Sequence, residues 1–394
     1  MSRPDAARVL EQLKRLDELG RGPGEGAFRM AYSPAFDAGR DYVRGLMEDA
    51  GLVCAVDAVG NLTGRLEGGG GPVIAVGSHL DTVPNGGLYD GALGVLCAVE
   101  CLRALGAEGR AFRHGFEVIG FTEEEGNVIG GLFGSRCFTG APVTGVELEK
   151  LAAHGLGPAA VAAAKRRMAD YLCYLELHIE QGGILEGAGY PLGVVEGIAA
   201  IHRWRVTVDG QANHAGSTPM WLRDDALEKA CRLIVDLMDA ARAIDRRTVC
   251  TVGTLEIEQP AVNVIPGRVC FTVDLRHPDP EPLERVVAEV RGKYPNVLFE
   301  QILNDPSTVC APGLRRVFEA ACTEAGTPAM PIHSGAGHDA IQMARHLPVG
   351  MLFVPSVGGI SHSPREYSRP QDIAAGLDVL YRALQKLDEG GLIE

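Results

Sequence analysis

The sequence predicts an α/β protein, a mixed and mainly parallel sheet flanked by helices, with a smaller α+β domain inserted into it. Short segments that are apolar throughout, such as GFEVIGF at 115–121, alternate with helical patterns over the first 200 residues. Such strands are typical of a sheet covered by helices on both faces. From about residue 203 the strands alternate apolar and polar residues instead, and after about 310 the first pattern returns.

Periodicity predicts the elements of the larger domain in order. Its first part contains helices at 5–20 and 36–51, two short strands within 52–66, a strand at 73–78, a helix at about 91–106, a strand at 115–121, a helix at 147–168 and a strand at 171–180. Its last part contains a helix at 312–325, a strand at 350–356 and a helix at 370–388. We assign residues 1–202 and 310–394 to this domain.

The inserted domain is predicted at 203–309. Strands at 204–210, 248–258, 268–276 and 296–303 are interrupted by a long helix after Pro219 and another at about 281–293. This β-α-β-β-α-β order suits a four-stranded antiparallel sheet with two helices on one face.

Composition excludes several classes of function. The net charge of −14 argues against binding to nucleic acid or to an anionic membrane surface, because both need clustered Lys and Arg. No apolar run approaches the ~20 residues of a membrane span, and the charged amphipathic start MSRPDAARVLEQLKRLDELG lacks a signal peptide's apolar core. Ten cysteines without a CxxC pair predict free, mostly buried thiols. A cytoplasmic location follows as an expectation.

Histidines and acids collect at the ends of the predicted buried strands. In an open α/β sheet, the carboxyl ends of the strands form the ligand crevice. Four separate strand ends should therefore converge on one site, which isolated structural histidines or solvated acidic turns would not explain. The residues concerned are His79 and Asp81, Asp90 in the next loop, Glu123, Glu124 and Glu125, His178 and Glu180, and His362.

These ligand types predict a metal centre. Imidazole and carboxylate without thiolate suit Zn²⁺, Mn²⁺, Co²⁺ or Ni²⁺. Two metals ~3.5–4 Å apart need a bridging carboxylate with a nucleophilic water between them, and Asp90, in a loop, is the natural bridge. Asp81 is expected to accept the other ring N–H of His79. Of the three adjacent glutamates, one can coordinate and another can act as general base, but spacing does not decide which.

Eight ordered motifs resemble one family. They are GSHLDTVPNGGLYDGALGV, FTEEEG followed by GSR, LELHIEQG, GQANHAGSTPM, NVIPG, VDLR, SGAGHDA and FVPSVGGISHSPRE, and they run from residue 77 to 366. Together they are similar to the amidase/hydantoinase/carbamoylase branch of the aminoacylase/carboxypeptidase-type metallohydrolases. That branch includes N-carbamoyl-L-amino-acid hydrolases, β-ureidopropionases and allantoate amidohydrolases. The resemblance implies a di-zinc-peptidase-like catalytic domain with an inserted domain that serves as lid and dimer interface.

The resemblance also implies a role for each matching residue. Two divalent ions are implied, zinc first, with manganese, cobalt or nickel as alternatives. His79 and His178 would hold one metal, and Glu125 and His362 would hold the other. Asp90 would bridge the two metals. Asp81 would lie behind the ligands, and Glu124 would be the general base. Gln181, Asn263 and Arg276 would contact the substrate, and His214 would reach over from the partner subunit of a homodimer to stabilise the oxyanion.

The implied activity is hydrolysis of the ureido C–N bond of an N-carbamoyl-L-amino acid or related small ureido acid by a metal-bridged hydroxide, releasing ammonia and CO2. Allantoate amidohydrolase or β-ureidopropionase activity is the alternative, and dipeptidase or aminoacylase activity is more distant. After EEG this chain has NVIGG, so Asn127 and Val128 depart from the family pattern at the expected pocket wall.

Other classes of function fit less well. Ser334 in HSGAGHDA lacks the strand–GxSxG–helix setting of a serine hydrolase, and His338 and Asp339 are expected to line or buttress the metal cleft instead. No cysteine lies beside a base that would activate it. A non-catalytic binding protein on this fold would be expected to lose a ligand or the base, and none is lost.

Overall fold

The computed structural model describes residues 3–22 and 24–390, and within them the chain forms two compact units. One comprises Met1–Glu196 and Val309–Glu394, and the other comprises Gly197–Thr308. The domain ranges from the sequence, 1–202 with 310–394 around 203–309, stay a prediction. The predicted elements agree with the structure to within a few residues, except for the helix predicted at 147–168, and several short elements, such as the helices Phe133–Thr139, Ile184–Ala188 and Ala340–Met343, were not predicted.

The strands are β1 (Val53–Val56), β2 (Leu62–Leu66), β3 (Gly71–His79), β4 (His114–Phe121), β5 (Tyr171–Ile179), β6 (Leu192–Ile198), β7 (Ala200–Asp209), β8 (Asn213–His214), β9 (Val249–Ile257), β10 (Val264–Ile265), β11 (Arg268–His277), β12 (Leu298–Asp305), β13 (Thr308–Val309), β14 (Ala329–Ser334) and β15 (Val349–Val354). The α-helices are α1 (Ala6–Gly20), α2 (Pro34–Asp49), α3 (Ala92–Gly106), α4 (Phe133–Thr139), α5 (Gly145–Ala152), α6 (Pro158–Ala164), α7 (Ile184–Ala188), α8 (Ala226–Ile244), α9 (Glu281–Lys293), α10 (Pro312–Ala325), α11 (Ala340–Met343) and α12 (Pro370–Asp388).

The larger unit is built on a nine-stranded mixed sheet, which confirms the predicted fold class. Its strand order is β1-β2-β4-β3-β5-β15-β6-β13, with β14 paired to β6. The four central strands β4, β3, β5 and β15 are parallel, and β2 and β6 run antiparallel to them. The carboxyl ends of the four parallel strands therefore lie along one edge, which is where the sequence predicts the site.

Close packing around α3 depends on glycine. The helix is buried along almost its whole length, as its sequence ALGVLCAVECLRALG predicts. A Cβ on Gly94 would lie 2.2 Å from the carbonyl oxygen of Leu177 in β5, and a Cβ on Gly77 in β3 would lie 1.9 Å from that of Ile119 in β4. Gly94 therefore lets α3 pack closely on β5, which contains His178, and Gly77 lets β4 lie close to β3, which contains His79.

The single helix predicted at 147–168 is wrong. Two short helices, α5 and α6, occupy this stretch, and a three-residue 3-10 turn, Met168–Asp170, follows them. Gly155 has a φ of +74°, and Pro158 starts α6. A left-handed glycine and a proline end one helix and begin the next, although the apolar spacing continues across the break.

The smaller unit contains the predicted four-stranded antiparallel sheet, in the order β12-β7-β11-β9. Helices α8 and α9 pack on it and share a core that includes Leu233, Phe271 and Val286. The side chain of Asp225 caps α8 by accepting the main-chain N–H groups of Leu227 and Glu228.

All ten cysteines are free, six of them are buried, and Cys231 is exposed. Among the described residues, no helix combines the length and the apolar character that crossing a bilayer would need. The cytoplasmic location stays a prediction.

Candidate metal centre

The predicted strand-end residues of the larger unit come together. Within the described residues, two groups of three ligand atoms, each within 4.8 Å of one another, share Asp90. One group is His79, Asp90 and His178, and the other is Asp90, Glu125 and His362. His79 is the last residue of β3 and His178 the penultimate residue of β5, whereas Glu125 and His362 lie in the loops after β4 and β15.

The two carboxylate oxygens of Asp90 face different groups. Oδ1 lies 3.3 Å from Nε2 of His79 and 3.3 Å from Nε2 of His178. Oδ2 lies 3.3 Å from Nε2 of His362, which is in turn 3.5 Å from Oε2 of Glu125. A carboxylate whose two oxygens face two separate groups of ligands can bridge two cations.

The histidine tautomers fit cation binding. Nδ1 of His79 lies 3.0 Å from the main-chain oxygen of Asp81, and Nδ1 of His178 lies 2.9 Å from that of Ile179. A carbonyl oxygen only accepts, so each neutral ring carries its proton on Nδ1 and turns the lone pair of Nε2 toward Asp90. Two lone pairs facing one carboxylate oxygen suit a cation between them.

The charges of the metal-free site are strongly coupled. Burial would raise the pKa of Asp90, but its hydrogen bonds with His178, His362 and His79 hold it well below its usual value. Its hydrogen bond with Asp90 raises the pKa of His362 to about 9. Burial, with Asp90 nearby, raises the pKa of Glu125 to about 7. Carboxyl groups and histidines therefore share protons in the metal-free site, and a bound cation would take the place of those protons.

The structure corrects the predicted contact of Asp81. Its side-chain Oδ1 is 3.8 Å from Nδ1 of His79, beyond hydrogen-bond distance, and its main-chain oxygen takes that place. The carboxylate instead accepts the main-chain N–H groups of Glu124 and Glu125, each at 3.1 Å. One residue therefore orients a ligand on β3 with its backbone and fixes the glutamates after β4 with its side chain.

The three adjacent glutamates take three different environments. Glu123 has a φ of +62°, and its carboxylate is used by the loop that follows rather than by the two ligand groups. Its Oε1 accepts the N–H groups of Val128, Ile129 and Gly130. Oε2 of Glu124 lies 3.9 Å from Nε2 of His79, and Glu124 belongs to neither ligand group. Spacing alone could not make this distinction, since it depends on the left-handed backbone conformation of Glu123.

Glu180 does not join the cluster. Although it follows β5 as predicted, its carboxylate accepts the N–H groups of Ile184 and Leu185 at 2.6 and 3.0 Å. It braces the first turn of α7 and has a structural role.

His338 and Asp339 lie behind the ligands. The ring of His338 meets that of His178 edge to face with centroids 4.6 Å apart, and its Nε2 is 2.8 Å from Oγ of Ser334. Burial and the neighbouring His178 hold the pKa of His338 well below its usual value, so this ring stays neutral. Asp339 is completely buried beside this wall of the cleft.

The four remaining predicted residues are distributed over both units. In the larger unit, Nε2 of Gln181 donates to Oδ2 of Asp90 at 2.7 Å. In the smaller unit, His214 and Asn263 are exposed. Arg276 on β11 is paired with Asp274, its Nε 2.7 Å from Oδ1. Their predicted roles toward a substrate stay predictions.

Sequence reasoning missed two residues at the centre. Ser361 places Oγ 3.0 Å from Oδ2 of Asp90, and Glu366 accepts the main-chain N–H groups of Tyr89 and Asp90. Both belong to GGISHSPRE, which also supplies His362. The presence of His362 in this segment could have pointed to these residues, but nothing in the residue spacing showed that their side chains turn toward the loop of Asp90.

Comparison with known proteins defines the class. The chain matches Peptidase family M20/M25/M40 over residues 75–386 and belongs to this family. It is 39% identical to the N-carbamoyl-L-amino acid amidohydrolase of Geobacillus stearothermophilus, over 97% of this chain and 98% of that protein. It is 36% identical to the allantoate amidohydrolase of Bacillus subtilis, over 96% and 97%.

A solved structure agrees with these sequence relatives. The hydantoinase/carbamoylase family amidase from Burkholderia ambifaria matches with a TM-score of 0.86 and 33% identity, covering 100% of both chains. The resemblance inferred from the motifs is therefore confirmed. The chain is a hydrolase of the M20 type whose full-length relatives include amidohydrolases.

Proposed function

We propose that this protein hydrolyses the ureido C–N bond of an N-carbamoyl-L-amino acid or a related ureido acid, with two divalent metal ions. The main support for the proposal is the position of the Asp90 carboxylate, whose two oxygens face two separate sets of ligands. The names of the full-length relatives support the choice of a ureido substrate.

The ligand residues fit two ions. His79 and His178 would hold one, Glu125 and His362 the other, and Asp90 both. When bound, such ions polarise a carbonyl and lower the pKa of a water. Nitrogen and oxygen donors without thiolate make zinc the first choice, with manganese, cobalt and nickel as the alternatives.

Glu124 is the proposed general base. It lies at the cluster with its main-chain N–H fixed by Asp81, and the ligand groups leave its carboxylate unused. Burial, together with Glu125 and Asp339, raises its pKa well above the usual value of a carboxyl group. Such a carboxylate can take the proton of the attacking water and deliver it to the nitrogen that leaves as the C–N bond breaks.

Three residues of the smaller unit are proposed to act on the substrate. Nδ1 of His214 accepts the N–H groups of Gly216 and Ser217, each at 3.1 Å, so in the neutral ring Nε2 carries the proton. That N–H suits stabilisation of the oxyanion formed at the carbonyl, from the partner subunit of a homodimer. Arg276 and Asn263 would bind the α-carboxylate, for which a guanidinium is suited, and Gln181 would contact the substrate from the larger unit.

A substrate panel with metal analysis tests the proposal. Purified protein, assayed with N-carbamoyl-L-amino acids, β-ureidopropionate, allantoate and dipeptides, should release ammonia from ureido compounds and contain two divalent ions per chain. Preference for allantoate would select the alternative within the same class. The proposal would be refuted if the protein hydrolysed only dipeptides. It would also be refuted if protein with both ions bound hydrolysed none of the compounds.

A further inference from the structure

The loop that carries Asp90 is held by a residue from the far end of the chain. Residues 85–91, NGGLYDG, form the last part of the connection from β3 to α3. Two successive main-chain N–H groups of this loop, those of Tyr89 and Asp90, donate to Oε1 of Glu366 at 2.8 and 3.1 Å. Glu366 is 5% exposed. Its carboxylate therefore replaces the regular hydrogen bonding that the loop lacks.

Glu366 also reaches the side chain of Asp90 through one hydroxyl group. Oγ of Ser361 lies 2.9 Å from Oε2 of Glu366 and 3.0 Å from Oδ2 of Asp90. Oε1 of Glu366 is thus engaged with the backbone at Asp90, and Oε2 lies beside the Ser361 hydroxyl, whose single proton can be donated to either carboxylate. Glu366 belongs to neither three-atom ligand group.

The loop is shaped to receive this carboxylate. A Cβ added to Gly87 would lie 2.1 Å from Cδ and 2.1 Å from Oε1 of Glu366. Only a residue without a side chain lets the carboxyl group pack directly on the backbone there. The glycine and the glutamate are therefore parts of one contact.

We propose that Glu366 is a positioning residue for the centre: it fixes the peptide and the carboxylate of Asp90 so that the two oxygens face the two ligand groups. This inference rests on the proposed bridging role of Asp90. Loss of Glu366 would leave two buried N–H groups without an acceptor and release the bridge. Partners that orient a ligand in this way are worth about 10- to 100-fold in metal affinity.

The test measures zinc binding to the full metal-free chain by titration calorimetry, together with its melting temperature before zinc is added. Glu366→Ala should weaken zinc binding about 10- to 100-fold. Glu366→Gln should retain most of the affinity, because the amide oxygen still accepts both N–H groups and its NH2 can donate to Ser361. Gly87→Ala should reproduce the loss with every ligand in place, because its Cβ displaces the carboxylate.

The matched control is Asp388→Ala. Asp388 is another buried carboxylate that accepts a main-chain N–H, that of His114, at 3.0 Å, at the opposite end of β4. This variant should lower the melting temperature and leave zinc affinity unchanged. If Glu366→Ala and Gly87→Ala only lower the melting temperature, or if Glu366→Gln loses as much affinity as Glu366→Ala, the positioning role is wrong.

Wild-type protein and Asp90→Asn separate this inference from the proposed function. If wild-type protein binds fewer than two zinc ions, or if Asp90→Asn binds both as tightly as wild type, the metal centre itself is refuted. If both behave as proposed and only the Glu366 series does not, the fault lies with the positioning role alone.

Discussion

At the scale of single residues, Asp81 shows how the metal centre depends on main-chain contacts as well as on side chains. Its main-chain oxygen lies 3.0 Å from Nδ1 of His79, and its carboxylate accepts the main-chain N–H groups of Glu124 and Glu125.

The members of the two ligand groups were predicted from their place at strand ends and in the loops that follow, whereas the carboxylate of Glu366 was missed. The contact of Asp81 was wrong in detail because main-chain carbonyls compete with carboxylates for the same ring nitrogen, and residue spacing carries no information about that competition. The environments of the three glutamates likewise differ because Glu123 has a left-handed backbone conformation, which residue spacing does not predict.

Glu124→Gln should separate catalysis from metal binding. Glu124 belongs to neither ligand group, so the variant should keep both metals while turnover falls about 10²- to 10⁴-fold, the usual contribution of a general base. Steady-state kinetics and metal analysis on the same sample measure the two effects. Its neighbour provides the control, because Glu125→Gln should lose metal as well. Near-normal turnover of a metal-loaded Glu124→Gln would remove the base assignment.

Metal binding should release a proton from His362. In the metal-free protein its bond to Asp90 raises the pKa of this ring to about 9, so the ring is charged at pH 7, and a metal binds only the neutral form. Affinity should therefore rise as the pH increases from 7 to 9. Calorimetry at pH 7 in buffers of different ionisation enthalpy counts the protons. A pH-independent affinity between pH 7 and 9 would contradict the assignment of His362 as a ligand.

The same shift affects stability with a fixed sign. The folded pKa of His362 lies above its unfolded value, so its pair with Asp90 stabilises the metal-free protein fully below about pH 6.5. That contribution is lost as the pH rises through about 9. Because the ring is half exposed, solvent screens the pair and the change should be small.

At the scale of elements, prediction succeeded where burial alone decides and failed where turns interrupt it. The central strands are apolar throughout, and their assigned positions agree with the structure to within a few residues. The helix predicted at 147–168 failed because Gly155 and Pro158 break a continuous apolar spacing. Strands β6 and β14 were not identified, since LGVVEGI contains two glycines and AMPIHS contains a proline, both of which weaken a strand pattern.

Two helix glycines should respond to alanine in opposite directions. Gly94→Ala places a Cβ 2.2 Å from the backbone of β5, and overpacking of this kind typically costs ~1–3 kcal/mol of unfolding free energy. Gly45 in α2 has no atom within 4 Å of its would-be Cβ, so Gly45→Ala should stabilise by ~0.5–1 kcal/mol through helix propensity. Urea unfolding of the metal-free variants measures both. Equal effects would mean that α3 does not depend on close approach to β5.

At the scale of the whole molecule, the change of strand pattern near 203 and again near 310 predicted an insertion, and the two compact units divide the chain close to those positions. Pattern reasoning succeeds here because a sheet covered on both faces and a sheet covered on one face need different sequences. It does not reveal which unit completes which site. That question needs an experiment on the assembled protein.

Purified mixed dimers test whether His214 completes the site of the other subunit. If it does, a dimer of one Glu124→Gln chain and one His214→Asn chain contains one site with both defects and one site with neither. Such a dimer, isolated with two affinity tags, should show about half of the wild-type turnover, because one of the two equivalent sites of the symmetric dimer is intact. If each chain instead completes its own site, both sites are defective and the dimer is inactive.

The reciprocal dimer makes the result decisive. It pairs a wild-type chain with a chain that carries both substitutions. Catalysis across the subunits leaves each of its sites with one defect, so this dimer should be inactive, whereas catalysis within one chain would leave it half active. The two dimers must therefore respond in opposite ways, and loss of folding in either variant chain cannot produce the expected pattern, because a misfolded chain cannot restore activity to its partner. Activity only in the reciprocal dimer would assign His214 to the site of its own chain.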